Sequence, residues 1–485
     1  MKTSIDTLNP PLVWKQFAAL SAIPRCSRDE EKVLAHLKGQ FDVWGYSWSQ
    51  DAVGNLVARK PASPGKEKAP VVILQSHVDM VCEQNRGRGH DFRCDPIDLI
   101  VDGEWLRANE TTLGADNGIG VAMILAVLQD KTLVHGPLEA LFTVDEETAL
   151  TGALGLDPQL LTGKILLNLD SEEVGHFTVG CAGGITTWSE LPVGAVPPRQ
   201  SHGWTVFLSG LRGGHSGVNI HEQRGNALKL AERLASSLFA GAGQAFELAG
   251  LEGGDKHNAI PREALLTLAG PANGGDILDT ELADLLPVWA AELGPEGKNL
   301  AFEVKSAPRP ATVLSQDGRT RLLQLLAALP DGVQGMSKAV PGLVETSCNL
   351  ASLKIESGVA KLLSSQRSSV ASQNALITRR IAAAVALAGG STKHGDGYPA
   401  WTPRAASPLR DLCVRLWEKT SGKEAVVELI HAGLECGVIG DKIPGMDMIS
   451  FGPDIQGAHT PQERVRIESV KQTHDLLLGL LRELV

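Results

Sequence analysis

The chain has 485 residues, of which 43% are hydrophobic and 21% are charged. This length allows two or three domains, each with its own hydrophobic core. The formal net charge is -11 without any Lys/Arg cluster, which argues against nucleic acid or an anionic membrane surface as the main partner. The N-terminus lacks the apolar stretch of a signal peptide, and no run of about 18 apolar residues could cross a bilayer. We therefore expect a cytoplasmic protein.

The cysteines form an odd, scattered set without a C-x-x-C pair. This spacing suggests neither a disulfide framework nor a zinc ribbon. We expect all of them to be reduced, ordinary thiols. The seven positions are Cys26, Cys82, Cys94, Cys181, Cys348, Cys413 and Cys436.

The first 186 residues alternate apolar runs with helix-like segments. Continuous apolar runs bounded by Gly, Pro or Asp are typical of strands buried on both faces of a sheet. Together with the intervening helices, these runs predict an α/β sandwich. In chain order the segments are "KVLAHLKGQF", "APVVILQSHVDMV", "GIGVAMILAVLQD", "LEALFTV" and "KILLNLD".

Two stretches interrupt this pattern: residues 191–200 contain three prolines and a glycine, and residues 388–408 are rich in Gly, Pro, Ser and Thr. Between them a second series begins with the strand-like "WTVFLSG" and the helix-like "QRGNALKLAERLASSLFAG", and it predicts an independent α+β unit. After the second break a helix, a strand, a loop and a final helix follow. One insertion into one discontinuous domain would explain both breaks.

Acidic residues and histidines follow several of the predicted buried strands. His77 and Asp79 end "LQSHVDMV", where strand alternation would place both side chains on one face. Asp116 precedes a helix-like segment, Glu146 and Glu147 follow the strand-like "LFTV", and adjacent residues there would point in different directions.

Two further residues complete this set. Asp170 follows "LLNL", and His459 lies in a Gly/Pro-flanked loop. Each residue alone also fits a plain structural role: a turn, a helix cap or a solvated loop. Together, two imidazoles and several carboxylates without a thiolate are ligands that a pair of borderline or hard metal ions prefers. Strand ends at one edge of an α/β sheet are places where such groups can meet.

The order of these residues resembles the M20 family of co-catalytic zinc peptidases, and nearly the whole chain resembles its Xaa-His (aminoacyl-histidine) dipeptidase branch. The resemblance implies an aminopeptidase-like zinc catalytic domain with an inserted ferredoxin-like α+β lid. We accordingly expect catalytic segments at residues 1–187 and 393–485, with a lid and dimerisation domain at residues 188–392. The supporting motifs are "LQSHVDMV", "TTLGADNGIG", "NLDSEEVG", "CAGGI", "GLRGGHSG", "NAIPREA", "HAGLECG" and "GPDIQGAHTPQERV".

The resemblance also implies a role for each residue of the metal site. His77 and Asp170 would bind one zinc ion, Glu147 and His459 the other, and Asp116 would bridge the two. Asp79 would orient His77, Glu146 would be the general base, and the peptide bond between Asp116 and Asn117 would be cis. Asp145 is predicted to make a strand-end hydrogen bond. Two Zn²⁺ ions per chain are expected, with Co²⁺ or Mn²⁺ as substitutes.

Four further residues are predicted to contact the substrate. His215 would stabilise the oxyanion, Asn258 and Arg367 would bind the scissile region and the terminal carboxylate, and Glu435 would face the amino end. A surface charge or a structural ion pair is the alternative for Arg367 and Glu435, and an exposed turn is the alternative for His215.

The expected activity is hydrolysis of unblocked dipeptides, including Xaa-His and β-Ala-His types, by a homodimer that contacts neither nucleic acid nor membrane. Within the same fold, a tripeptidase or an N-acyl amino acid deacylase is the alternative. From another class, a non-catalytic binding relative is disfavoured because every ligand is present.

Overall fold

The computed structural model describes residues 4–240, 245–338 and 340–485. The chain forms two compact units. The first comprises Met1–Cys181, Trp401–Leu429 and Leu434–Val485, and the second comprises Ala182–Ala400 and Ile430–Gly433.

The unit boundaries lie near, but not at, the positions expected from composition. The expected boundary between residues 187 and 188 falls inside the strand Gly183–Pro192, because the Pro/Gly-rich stretch at 191–200 begins only where this strand ends. The finer assignment of the domains to residues 1–187, 188–392 and 393–485 stays a prediction.

An eight-stranded sheet forms the centre of the first unit. Its middle strands are parallel neighbours, and the strands Val72–His77 and Leu138–Thr143 are buried along their whole length. This burial on both faces is what the continuous apolar runs predict. In spatial order the strands are Ser47–Gln50, Leu56–Lys60, Leu138–Thr143, Val72–His77, Ile165–Asn168, Asp447–Ser450, His176–Cys181 and Val426–Ile430.

Helices cover this sheet, and the helix Ala115–Gln129 lies in the core itself. Its segment 117–128 is buried throughout, which its nearly uninterrupted apolar sequence permits. The other helices of the unit are Pro11–Ser21, Glu31–Trp44, Glu146–Ala149, Thr151–Gly155, Pro408–Ser421, Glu435–Lys442 and Ile467–Glu483. A smaller sheet contains Ile455–Gln456, Arg464–Arg466, Trp105–Ala108 and Leu99–Asp102.

Part of the second unit has ferredoxin-like topology. Its elements follow the chain order strand, helix, strand, strand, helix, strand, and all strand pairs are antiparallel. In spatial order the strands are Glu247–Glu252, Ala264–Gly270, His202–Ser209 and Ala301–Ala307, and the two helices are Ala227–Ala240 and Gly274–Glu292. The α+β prediction for this region is therefore confirmed.

A second, five-stranded sheet in this unit was not anticipated from the sequence. In spatial order it contains Gly332–Met336, Val344–Glu356, Val359–Ser368, Gly183–Pro192 and Ser391–His394. The helices Gln316–Ala328 and Ala371–Leu387 and the short strand pair Gly214–His215 and Ala259–Ile260 complete the described elements longer than a single 3-10 turn.

Cys26 and Cys82 are joined by a disulfide across 56 residues of sequence, so the prediction of seven reduced thiols is wrong for this pair. The two cysteines meet because residue Cys26 forms a parallel bridge with Met80, a non-local contact that cysteine spacing does not reveal. The other five cysteines are not disulfide-bonded. Within the described ranges, no helix has the length and apolar character needed to span a bilayer.

Candidate dinuclear metal centre

The carboxyl ends of the parallel strands bring the predicted metal ligands of the first unit together. His77 is the last residue of its strand, and the strand Ile165–Asn168 ends two residues before Asp170. Because parallel strands present their carboxyl ends at one edge of the sheet, these side chains converge. Asp116 and His459 reach the same place from a helix start and a loop.

Two groups of possible metal ligands share Asp116. In one group the His77 Nε2 atom lies 3.1 Å from Asp116 Oδ1 and 3.4 Å from Asp170 Oδ1. In the other, the His459 Nε2 atom lies 3.1 Å from Asp116 Oδ2 and 2.8 Å from Glu147 Oε2. Each Asp116 oxygen thus faces a different histidine, and within each group the ligand atoms lie within 4.8 Å of one another. This geometry is suitable for a carboxylate that bridges two ions.

Asp79 connects the ligands to the segment that carries the two glutamates. Its Oδ1 atom lies 3.2 Å from the His77 Nδ1 atom. Its carboxylate also accepts the backbone N–H groups of Glu146 and Glu147, at 3.1 and 3.2 Å, and the Ser27 hydroxyl at 2.8 Å. Asp79 therefore lies between the His77 ring and the turn that carries the glutamates, and its role in orienting His77 stays a prediction.

Glu146 and Glu147 do not lie on a strand. The strand ends at Thr143, Asp145 adopts a left-handed conformation with φ 47°, and the short helix Glu146–Ala149 begins immediately afterwards. Asp145 accepts the Thr148 hydroxyl at 2.6 Å and donates its N–H to Glu30 at 2.9 Å, so it makes hydrogen bonds just after the end of the strand.

The peptide bond between Asp116 and Asn117 is cis, as the resemblance implies. The Asn117 side-chain amide donates to Asp170 Oδ1. Asn117 thereby holds one predicted ligand while its neighbour Asp116 supplies the bridge.

The electrostatics of the cluster indicate a site for cations. Without metal, burial and the charge of Asp116 raise the pKa of Glu147 to about 7, and burial raises the pKa of Glu146 well above its ordinary value. Burial also opposes the charged form of Asp116, but hydrogen bonds from His459 and His77 outweigh it and lower the pKa of Asp116. Buried carboxylates in such excess need positive charge nearby.

One oxygen atom of the predicted ligand Glu147 is available to bind such a cation. The Glu147 Oε1 atom is buried without a hydrogen-bond partner, an arrangement that costs free energy unless something binds it. Oxygen and imidazole ligands of this kind fit Zn²⁺, and they fit Co²⁺ or Mn²⁺ as well.

Glu435 is completely buried in the first unit. Its Oε2 atom accepts hydrogen bonds from Gln75 at 2.6 Å and Thr143 at 2.7 Å, and burial raises its pKa to about 7. Glu435 therefore links the strand that ends at His77 to the strand that precedes Glu146. Its contact with a substrate amino group stays a prediction.

The remaining predicted substrate residues belong to the second unit. His215 pairs with Ala259, the neighbour of Asn258, and Asn258 accepts the Ser216 N–H at 2.7 Å. The His215 Nδ1 atom accepts the N–H groups of Gly217 and Val218 at 3.1 and 3.0 Å. These bonds require the Nε2 tautomer, which leaves the ring as a donor at Nε2.

Arg367 lies on the strand Val359–Ser368 and is only 6% exposed. Its Nη1 atom donates to the Tyr398 hydroxyl at 2.6 Å, whereas its Nε atom is buried without a hydrogen-bond partner. A buried guanidinium with an unsatisfied donor is suited to an anion, and this burial disfavours the alternative of a surface charge.

Sequence reasoning missed several residues that support the site. The most informative are Arg25, Ser27 and Glu463, none of which follows a predicted strand. The only available signal was proximity: Glu463 lies four residues after His459 in "HTPQE". Arg25 and Ser27 flank a cysteine in "PRCSR", where no pattern indicates chemistry.

Two histidine-containing ligand groups that share a carboxylate, with a separate half-buried glutamate beside them, are an arrangement typical of metallohydrolases. The chain belongs to Peptidase family M20/M25/M40, whose family model matches residues 73–483. It is accordingly a metallopeptidase, and the family resemblance inferred from the sequence motifs is confirmed.

Two close relatives match nearly the full length of the chain. The cytosol non-specific dipeptidase of Escherichia coli (strain K12) is 40% identical, over 99% of each chain. The crystal structure of aminoacylhistidine dipeptidase from Vibrio alginolyticus is 38% identical with a TM-score of 0.84, covering 99% of this chain and 98% of that chain. The aminopeptidase PepT of Bacillus cereus, at 16% identity and a TM-score of 0.60 over 98% of this chain and 99% of that chain, shares the fold.

Proposed function

We propose that this metallopeptidase hydrolyses unblocked dipeptides, including Xaa-His and β-Ala-His types, with two zinc ions and a glutamate base. The observation that carries the reaction is the position of Asp116, whose two oxygens each lie 3.1 Å from a different histidine. The similarity to two full-length dipeptidases supports the substrate class.

In this proposal His77 and Asp170 hold one ion, Glu147 and His459 hold the other, and Asp116 bridges them. When bound, the ions would supply Lewis-acid activation of water and of the scissile carbonyl. Co²⁺ or Mn²⁺ could replace Zn²⁺ in such a ligand set.

Glu146 is the proposed proton carrier. Burial raises the pKa of its carboxyl well above the ordinary value, which makes it a better base in its ionised form. It would accept a proton from the attacking water and return it to the leaving amine. Asp79 would hold the His77 ring and the turn that carries Glu146 in fixed positions relative to each other.

The second unit would supply the groups that bind the substrate's polar ends. Arg367 would pair with the terminal carboxylate, Asn258 would contact the scissile region, and His215 would donate its Nε2 proton to the developing oxyanion. Glu435 would act toward the amino end. We further propose a homodimer formed through this unit and a cytoplasmic location, the latter supported by the name of the E. coli relative.

Metal analysis combined with a substrate panel tests the proposal. The panel contains dipeptides, β-Ala-His, tripeptides and N-acyl amino acids. We expect two ions per chain and cleavage of dipeptides. A protein with two bound ions that cleaves only tripeptides or only N-acyl amino acids would exclude the dipeptidase activity in favour of those alternatives, and light scattering in solution would test the dimer.

A further inference from the structure

Glu463 is a buried carboxylate outside the predicted ligand set, and it is 2% exposed. Its Oε2 atom accepts the N–H groups of Leu113 and Gly114 at 2.7 and 2.9 Å. Its Oε1 atom accepts those of Ala115 and Asp116 at 2.7 and 3.2 Å. One carboxylate thus binds four consecutive backbone donors that end at the predicted bridging residue.

The shape of this loop depends on Gly114, which adopts the left-handed conformation with φ 68°. A turn of this kind aims successive N–H groups into one concavity that favours an anion. A Cβ atom at Gly114 would lie 2.4 Å from Arg25 Nη2 and 2.6 Å from the Met80 sulfur. Glycine is therefore favoured here by conformation, and a side chain at this position would have to displace Arg25 or Met80.

Arg25 holds the same loop through its carbonyl groups. Its guanidinium donates to the Gly114 carbonyl oxygen at 2.5 Å, and to those of Val78 and Asp79 at 3.1 and 3.2 Å. The loop before Asp116 is therefore held at its N–H groups by an anion and at a carbonyl group by a cation.

We propose that Glu463 is the positioning residue that sets the Asp116 carboxylate between the two metal ions. This inference rests on the metal site described under the proposed function. Glu463 follows His459 by four residues, so a single turn both supplies one ligand and fixes the bridge shared with the other ion. Both Glu463 oxygens are needed as acceptors, and a carboxylate offers acceptors on both oxygens, whereas an amide offers acceptors on only one.

The test is competition of apo-protein with a chromophoric chelator for Zn²⁺, using Glu463→Gln and Glu463→Asp. The amide of Glu463→Gln cannot accept at one of its two positions, so two of the four N–H groups lose their acceptor. We expect zinc affinity at one or both positions to fall by about 10- to 100-fold, the range typical when a group that orients a ligand is removed. Glu463→Asp, which keeps the charge but is one methylene shorter, should fall between Glu463→Gln and wild type.

Glu139→Gln is the matched control. Glu139 is 3% exposed in the same unit and accepts the N–H groups of Thr162 and Gly163 at 2.9 and 3.0 Å. It lies near the start of the strand Leu138–Thr143, at the opposite end from the metal cluster. Its substitution should lower thermal stability but change zinc affinity by less than about threefold.

The outcomes separate this inference from the proposed function. Wild-type protein that binds fewer than two ions would contradict the metal site itself. If wild type binds two ions and Glu463→Gln binds zinc as tightly as wild type, only the role of Glu463 is contradicted. The same holds if Glu139→Gln loses as much zinc affinity as Glu463→Gln. If circular dichroism shows that Glu463→Gln is unfolded, the test uses soluble Glu463→Asp. Zinc affinity equal to that of wild type in Glu463→Asp overturns the proposal.

Discussion

The two units carry polar clusters of opposite character. In the first unit, carboxylates outnumber histidines around Asp116, and the metal-free site raises the pKa of Glu147 to about 7 because of burial and the charge of Asp116. In the second unit, Arg367 is a buried cation, and burial together with its charge lowers the pKa of His431 to about 4. The first cluster is suited to cations and the second to an anion.

The two clusters are suited to different groups of a dipeptide, the substrate class proposed above. A dipeptide presents a carbonyl group that needs Lewis-acid activation and a carboxylate that needs a positive partner.

Removal of metal from the first cluster should have the largest effect on activity, and it tests whether that cluster binds cations. Dialysis against a chelator should reduce peptidase activity to background, because no side chain of the cluster can replace a Lewis acid. Activity should return in proportion to added Zn²⁺, Co²⁺ or Mn²⁺. Undiminished turnover by protein with no metal, measured by atomic emission, would contradict the cation assignment.

Glu146→Gln should have the next largest effect. Loss of the base should lower kcat by about 10²- to 10⁴-fold, while both metals remain bound because Glu146 is not a predicted ligand. Metal content and kcat measured on the same sample provide the internal control. A variant with normal kcat would remove Glu146 from the role of base.

Arg367→Lys tests the anion cluster. Lysine keeps the charge but cannot present the same planar pair of donors, so kcat/KM for dipeptides should fall by about 10- to 100-fold, equivalent to losing hydrogen bonds to a charged group. The control Arg233→Lys, at an exposed ion pair with Glu292, should leave kcat/KM unchanged. Equal behaviour of the two variants would refute the assignment of Arg367.

His431 gives the second unit a pH-dependent stability. Its pKa is about 4 when folded, from an ordinary value of 6.5; between these values the unfolded chain binds a proton that the folded chain does not. The contribution is therefore fully present above about pH 6.5 and is lost as the pH falls toward 4, by about 3 kcal/mol in total.

His431→Gln should remove this part of the pH dependence. When the urea midpoint is plotted against pH from 4 to 7, it should fall more steeply toward low pH in wild type than in His431→Gln. The control His221→Gln, at an exposed histidine, should follow wild type. Parallel curves for wild type and His431→Gln would show that His431 titrates normally.

The smallest effect concerns the Cys26–Cys82 disulfide of the first unit and is measured by counting thiols. Titration of the unfolded protein without reductant should find the five thiols that form no disulfide, and seven after reduction, since the sequence contains seven. Cys82→Ser should give six in both cases. Seven thiols before reduction would restore the expectation drawn from cysteine spacing.

The sequence by itself determined the class of fold and most of the candidate site. Continuous apolar runs predicted strands buried on both faces, and Val72–His77 and Leu138–Thr143 are such strands. Residue types at the strand ends, together with the family motifs, identified the groups that share Asp116, because ligand chemistry depends on side-chain type and parallel strands deliver such residues to one edge.

Only the tertiary structure decided how those residues are held. The four bonds to Glu463, the carbonyl contacts of Arg25 and the Cys26–Cys82 disulfide all join segments distant in sequence. After the left-handed turn at Asp145, Glu146 lies on a short helix, and the N–H groups of Glu146 and Glu147 are accepted by Asp79, which is distant in sequence. Local patterns encode strands and ligand types, but a buried carboxylate finds its donors only when the chain has folded around it.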